Sequence, residues 1–454
     1  MLAALADAAT RDGRLVDLDD DELIGILRAW HRLESWCASG MLTAVAELAR
    51  RRPAEATAPA APEAFPEQLS EFVSDEIAAA LTLTARTAET IQDLSLDLAS
   101  RLTATAKALH EGVIDPPKAR LIAEATRILA DEQARQVEAR ILLRAGQQTT
   151  GQLRAAVARA VLAVDPEAAI RRREEAQKDP RVRRWREDAG TAALAGYGLP
   201  PAEVLEADQR LTDRALALRQ AGLPGSLEEL RARAYLDALL GQDSAPLAGP
   251  TRPGTGRQPL LAARVTLTVP LSTYLGSGTE PAHVAGFGPI DPALARELSM
   301  RAGAHPASRF CLTITGPDGR AIGHGCVPGR PPGPTTQPGP PGLNATVIPL
   351  AGDDCDHRRQ EPGYQPSRRL QHLITARTRT CTAPGCMRPA ARCDLDHTTP
   401  YDQGGRTCEC NLAPLCRHHH RCKQAKGWQL HHPSPGVMSW ITPAGRQYVT
   451  RPGD

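Results

Sequence analysis

The sequence predicts a mainly α N-terminal domain, then a small α+β segment, then a small zinc-stabilised C-terminal domain. Three observations predict it. Apolar residues recur at helical spacing through residues 1–240, two Pro/Gly-rich stretches interrupt the chain, and seven of the eleven cysteines crowd into about forty residues near its end.

The elements follow in order. Asp19-Asp20-Asp21 opens the first helix, where negative charge suits the helix dipole, and Leu23, Leu27, Trp30, Leu33, Cys37 and Leu42 recur until Pro53 stops the run. After an Ala/Pro-rich loop at 53–66, helices are predicted at 74–98, 100–111, 117–130, 131–145, 150–164 and 166–178, punctuated by Gly112, Pro116-Pro117, Gly146 and Asp165-Pro166. Their short connections favour antiparallel packing. Residues 182–186 and 192–197 flank Asp188-Ala189-Gly190 as one hairpin, and helices resume at 201–220 and 226–240.

Residues 241–258 read as a linker. Residues 259–327 form the small α+β segment: a strand over 264–269, a helix opened by Asp291-Pro292, and a hairpin of 310–315 with 321–326 around Pro317-Asp318-Gly319. Residues 328–363 are a second, Pro/Gly-rich linker, and 364–454 the C-terminal domain.

Composition excludes several classes. With 454 residues, 41% of them hydrophobic and 23% charged, the chain is neither collagen-like nor wholly disordered. No signal peptide and no run of roughly 20 apolar residues is found, so a soluble, cytoplasmic protein without membrane contact is expected. The formal net charge is only +2, but from residue 366 onward thirteen Lys/Arg stand against five acids, which leaves +8 on that end and −6 on the rest. A basic terminal module is a footprint of nucleic-acid contact, and equally of a solvated charged face.

In a chain without an export signal, clustered Cys mixed with His points to metal rather than disulfides. Cys381-Thr-Ala-Pro-Gly-Cys386 and Cys416-Arg-His-His419 supply a Cys₃His set suited to structural Zn²⁺. A metal has an energetic reason here, because a small aromatic-poor module buries little apolar surface. Cys393, Cys408, Cys410 and Cys422 compete for these positions: Cys422 can replace His419, Cys408 and Cys410 can form a second soft site, and Cys393 reads as a small buried residue. Residues 353–357 (Asp-Asp-Cys-Asp-His) could attract a divalent ion, but following a Pro-rich linker they read rather as a flexible acidic loop. His431-His432 reads as a surface turn, and Trp428 and Trp440 as core within a closing hairpin.

Inside the zinc frame lie Asp394-Leu-Asp396-His397, Gly404-Gly405, Asn411-Leu412 and Cys416 through Lys423. This stretch resembles the HNH endonucleases, with Asp396-His397, Asn411 and His420 as the matching residues. Upstream, Tyr364-Gln-Pro-Ser-Arg-Arg-Leu, Ala376-Arg377 and residues 286–290 resemble the bacterial family that joins a helical domain of unknown function to a C-terminal HNH domain. The resemblance implies a ββα-metal fold for 364–454.

It also implies roles. His397 would be the general base, as an imidazole suits proton abstraction near neutral pH. Asn411 would pin the loop, and Asp396 with His420 would hold one catalytic Mg²⁺, Mn²⁺ or other divalent ion. Asp396 and His397 diverge on a regular strand, so a local bend is expected. Some members carry a further His where this chain has Gln424. Successive helical residues point about 100° apart, so His418 is expected exposed, His419 on zinc and His420 on the catalytic ion, with exchange of the last two as the alternative. Arg421 and Lys423 are candidate phosphate contacts.

The expected function is metal-dependent hydrolysis of DNA phosphodiesters by an HNH endonuclease. The alternatives are a zinc-stabilised nucleic-acid-binding module without catalysis, and a helical interaction scaffold.

Overall fold

The structure is a computed structural model. It describes residues 15, 18–54, 65–66, 68–165, 167–244, 267–284, 288–303, 310–316, 320–327, 346–352 and 354–452. The expected turn at 317–319, positions 285–287, Asp353, the start of the strand at 264–266 and most of both linkers lie outside them.

The chain divides into two compact units. One combines residues 1–173 and 317–320 with 351–454; the other comprises 174–316 and 321–350.

In the first unit, helix α1 (Asp20–Arg50) starts at a capping box: the Glu22 amide donates to Asp19 Oδ1 at 2.8 Å and the Asp19 amide to Glu22 Oε2 at 3.0 Å. Only its second half is buried, through Leu42, Val45, Ala46 and Ala49, while Leu27 and Trp30 stay exposed. The helix expected over 74–98 is two helices, α2 (Val73–Leu81) and α3 (Ala85–Ser100). Thr82 closes α2 in the left-handed conformation (φ 54°), and the Thr84 hydroxyl accepts from the Thr87 amide to start α3. Apolar periodicity continues across such a break, which is why the sequence reads as one run.

Helices α4 (Thr103–His110), α5 (Pro116–Thr126), α6 (Asp131–Ala145) and α7 (Thr150–Val164) complete the bundle around Leu102, Leu109, Ile122, Val137, Leu153 and Val157. Gly112 adopts φ 68°, and a Cβ there would lie 2.8 Å from Arg32 Cβ, so the turn requires glycine. Helix α8 (Ala168–Gln177) follows.

The second unit holds a hairpin, β1 (Arg181–Arg186) with β2 (Ala192–Tyr197), and the helix pair α9 (Pro201–Gln220) and α10 (Leu227–Leu240), packed through Ala215, Leu218, Leu230 and Ala234. Strands β3 (Leu267–Thr268), β4 (Ala282–Val284) and β5 (Gly288–Ile290) form an antiparallel sheet. Helix α11 (Leu271–Leu275) lies between the first two strands in sequence, and α12 (Pro292–Gly303) follows the third. Strands β6 (Phe310–Thr315), β7 (Ala321–Val327) and β8 (Ile348–Pro349) form another. Short helices and antiparallel strands thus alternate here, and β8 lies within the stretch 328–363 expected as the second linker.

The C-terminal part of the first unit begins with α13 (Arg368–Arg377). The antiparallel pair β9 (Asp394–His397) and β10 (Leu412–Leu415) follows, with His397 opposite Leu412 and Asp396 opposite Ala413. Helix α14 (Arg417–Cys422) comes next, then a three-stranded sheet of β11 (Gln429–Ser434), β12 (Val437–Ile441) and β13 (Gln447–Thr450). The closing hairpin thus gains a third strand. Trp428 and Trp440 are core, as expected; their rings meet edge to face at 6.1 Å, and Trp440 Nε1 donates to the Thr382 carbonyl. His431 and His432 lie in β11 rather than in a turn. Among the described residues, no helix is long and apolar enough to cross a membrane.

Candidate metal centre

The Pro384-Gly385 turn returns the chain between Cys381 and Cys386, and Cys416 caps the start of α14 so that His419 lies one turn on. These four residues converge, with every donor atom within 4.8 Å of the others. His419 Nδ1 lies 3.5 Å from Cys381 Sγ and 3.1 Å from Cys416 Sγ. Three thiols and an imidazole at these separations are a donor set that fits zinc. Hydrogen bonds from the Cys381 and Cys386 thiols hold Cys416 far below the usual thiol range, so the cluster already favours one thiolate.

Asp75 on α2, more than three hundred residues away in sequence, completes the surroundings. Its Oδ1 lies 3.1 Å from His419 Nε2 and its Oδ2 lies 2.7 Å from His418 Nε2. Burial works against its charge, yet the hydrogen bonds from His418 and His419 outweigh it and hold the carboxyl below its ordinary value. The imidazole of His419 therefore has Nε2 committed to a carboxylate and Nδ1 aimed at the thiols, the arrangement that fixes the tautomer of a metal-bound histidine. Phe72, just before α2, packs into the same core as Cys381, Cys416, Trp428 and Trp440.

On the other face of α14, His420 Nε2 lies 3.3 Å from Asp396 Oδ1. Lys423 pairs with Asp396 Oδ2 and donates to the His397 carbonyl at 2.5 Å. The His397 ring stacks on Tyr364 (5.2 Å, 18°), meets Tyr401 edge to face, and has Nε2 2.9 Å from the Thr407 hydroxyl. Burial pushes its pKa below the usual imidazole value, opposed by the charge of Asp396 and aided by that of Lys423. β9 pairs in register, and the two side chains make separate sets of contacts, as neighbours on a strand do.

Asn411 uses its full bonding capacity on the loop between β9 and β10. Its Oδ1 accepts from the Thr398 hydroxyl (2.7 Å) and the Thr399 amide (2.8 Å), and its Nδ2 donates to the Thr399 and Arg406 carbonyls, both at 3.0 Å. Gly405 lies under this amide; a Cβ there would come within 1.8 Å of the Thr399 carbonyl oxygen. Buried Glu409 anchors the same loop through Arg359 and Arg377.

The structure therefore brings Cys381, Cys386, Cys416 and His419 together, pairs Asp396 with His420, and gives Asn411 a loop-pinning position. His418, expected exposed, is half-buried and held by Asp75. Lys423 has its ammonium turned inward onto Asp396, and Arg421 pairs with Glu71. Cys422 is buried beside the Cys₃His cluster but outside it, and Cys393 packs against it half-buried, with Sγ 3.5 Å from the Pro389 carbonyl. Residues 355–357, expected as a flexible loop, bring Cys355 and His357 onto Cys408 and Cys410. The paired x-to-x+2 spacing of Cys355/His357 and Cys408/Cys410 was a readable signal for that convergence. Asp75, Thr407 and Glu409 carry no such signal, since only the fold delivers them.

Fold and site define a half-helical α+β chain whose C-terminal part carries Cys/His groups able to hold a metal such as zinc. The chain belongs to the DUF222 family, a domain of unknown function whose model matches residues 31–326. It is 32% identical to the uncharacterized protein Rv3776 of Mycobacterium tuberculosis, over 96% of this chain and 80% of that protein. It is 30% identical to the uncharacterized protein Rv2100 of the same organism, over 96% of this chain and 78% of that protein. No solved structure matches.

Proposed function

We propose that the protein is a metal-dependent HNH endonuclease that hydrolyses DNA phosphodiesters, with a structural zinc held by Cys381, Cys386, Cys416 and His419. The observation that carries the reading is the approach of Asp396 Oδ1 and His420 Nε2 to 3.3 Å, beside His397 on the same strand. A hard oxygen and an imidazole nitrogen at that separation fit adjacent ligand positions of one divalent ion, whose octahedral edge is about 3.0 Å for bonds of about 2.1 Å. Bound there, the ion would stabilise charge on the scissile phosphate and the leaving oxygen.

The chain's own residues do the rest. With Nε2–H donating to the Thr407 hydroxyl, His397 keeps the Nδ1 lone pair to take a proton from water. Stacking on Tyr364 fixes the ring plane, and Asn411 holds the loop that carries Thr407. Arg368, Arg369, Arg379, Arg388, Arg392 and Lys426 are exposed and supply charge for a phosphate backbone. DUF222 chains are commonly joined to HNH domains, which adds support.

One observation favours the non-catalytic binding module: Lys423 already gives Asp396 a counter-ion. Incubating the full chain with supercoiled plasmid and Mg²⁺ or Mn²⁺, beside His397→Ala, separates the two. Nicking that the variant lacks supports catalysis; retained DNA with no nicking in either protein refutes it in favour of the binding module.

A further inference from the structure

Cys355, His357, Cys408 and Cys410 do not belong to the zinc set above. They come from two short segments: 355–357, where the chain turns ahead of α13, and 408–410, at the end of the loop between β9 and β10. All four donor atoms lie within 4.8 Å of one another. Cys355 Sγ is 3.5 Å from Cys408 Sγ, and His357 Nδ1 is 3.7 Å from Cys408 Sγ and 3.6 Å from Cys410 Sγ. A tetrahedral zinc with Zn–S of about 2.3 Å and Zn–N of about 2.0 Å has edges of about 3.5–3.8 Å between its ligands. These three separations fall in that range.

The backbone adds an independent observation. His357 sits at φ 57°, one of two described non-glycine residues in the left-handed region. That conformation is uncommon for a side chain with a Cβ and persists where something holds it. Here it turns the imidazole onto the Cys408 and Cys410 sulfurs.

We propose that Cys355, His357, Cys408 and Cys410 form a second structural zinc site, which clamps the segment ahead of α13 onto the loop that supports His397. The neighbouring contacts show what the clamp fastens. The Glu361 amide donates to the Thr407 carbonyl at 2.9 Å, Glu409 between the two cysteines is gripped by Arg359 and Arg377, and Asn411 follows Cys410 directly. Thr407, one residue before the site, is the group that holds His397 Nε2. The zinc therefore closes the outer side of a loop whose inner side positions a ring.

The test reads metal without DNA. Zinc is counted in the full-length protein purified under reducing conditions, beside Cys355→Ser/His357→Ala and beside Cys386→Ser. We expect two equivalents in the wild type and one in each variant. Zinc content unchanged by Cys355→Ser/His357→Ala overturns the proposal, as does a Cys355–Cys408 disulfide found by peptide mapping of that reductively purified protein. A single wild-type zinc that only the double variant loses upholds this site and refutes the first one. Should the double variant not fold, alkylation of the wild type decides: Cys355, Cys408 and Cys410 must be protected until a chelator is added, and equal labelling before and after overturns the site. Loss of plasmid nicking in the double variant is the one consequence that rests on the nuclease reading, and its failure leaves the zinc count standing.

Discussion

Replacing Asp75 with Asn tests whether a residue of the second helix tunes the metal centre. Asp75 is 6% exposed and its two oxygens lie 2.7 and 3.1 Å from His418 Nε2 and His419 Nε2. Asparagine keeps the volume but offers one acceptor, so its amide N–H₂ must face one of two ring N–H donors. Loss of the carboxylate behind a metal-bound imidazole costs about 10–100-fold in metal affinity, which is about 1.4–2.7 kcal/mol. We therefore expect Asp75→Asn to weaken the zinc at Cys381, Cys386, Cys416 and His419 by that factor, measured by competition with a chromophoric chelator. His418→Ala removes the other partner of Asp75 and should change the affinity less than threefold, because His418 is not among the four residues Cys381, Cys386, Cys416 and His419. Affinity of Asp75→Asn within twofold of the wild type would refute the reasoning, since it would mean that His419 is oriented without the carboxylate.

Asn411→Asp turns two donated hydrogen bonds into contacts between oxygens at the Thr399 and Arg406 carbonyls, and is expected to destabilise the fold by about 2–4 kcal/mol in denaturant titration. Glu409→Gln leaves Arg377, itself buried, short of its counter-charge; a loss of about 3–5 kcal/mol is expected, and one below 1 would show that the ion pair is dispensable. His432 accepts from the Gly436 amide through Nε2 at 3.0 Å, and burial together with the Arg377 charge pushes its pKa down to about 3. The neutral ring is the folded form, so its contribution is complete above the unfolded pKa near 6.5 and is lost as pH falls toward 3. The wild type should lose about 2–4 kcal/mol more than His432→Gln between those limits. Equal slopes for the two proteins, read by urea denaturation at several pH values, would contradict the assignment.

Much of the fold was legible in local pattern. The Asp19 cap, the breaks at Gly112, Pro116 and Gly146, and the hairpin of 181–197 all follow from residue chemistry within a few positions. The split at Thr82 was not legible, because apolar spacing runs through it and only the left-handed φ of one threonine ends the helix. The same division holds at the site. Cys381/Cys386 and Cys416/His419 are short-range spacings, readable as knuckles before any fold is known. Lys423 reads from sequence as a candidate phosphate contact because charge alone does not say which way a side chain turns, and its ammonium lies instead on Asp396.

What the sequence determined by itself was the inventory and its local geometry: helices from apolar period and caps, a basic end of +8 against −6, and Cys/Cys and Cys/His pairs separated by a turn. The tertiary structure alone decided which pairs meet. Asp75 reaches His419 across more than three hundred residues, and Cys355 and His357 reach Cys408 and Cys410 across about fifty. Spacing constrains neighbours through bond geometry, whereas distant groups are brought together only by the burial that folds the chain, and that burial placed Phe72 and Asp75 of the helical half against the core that carries Cys381, Cys416 and His419.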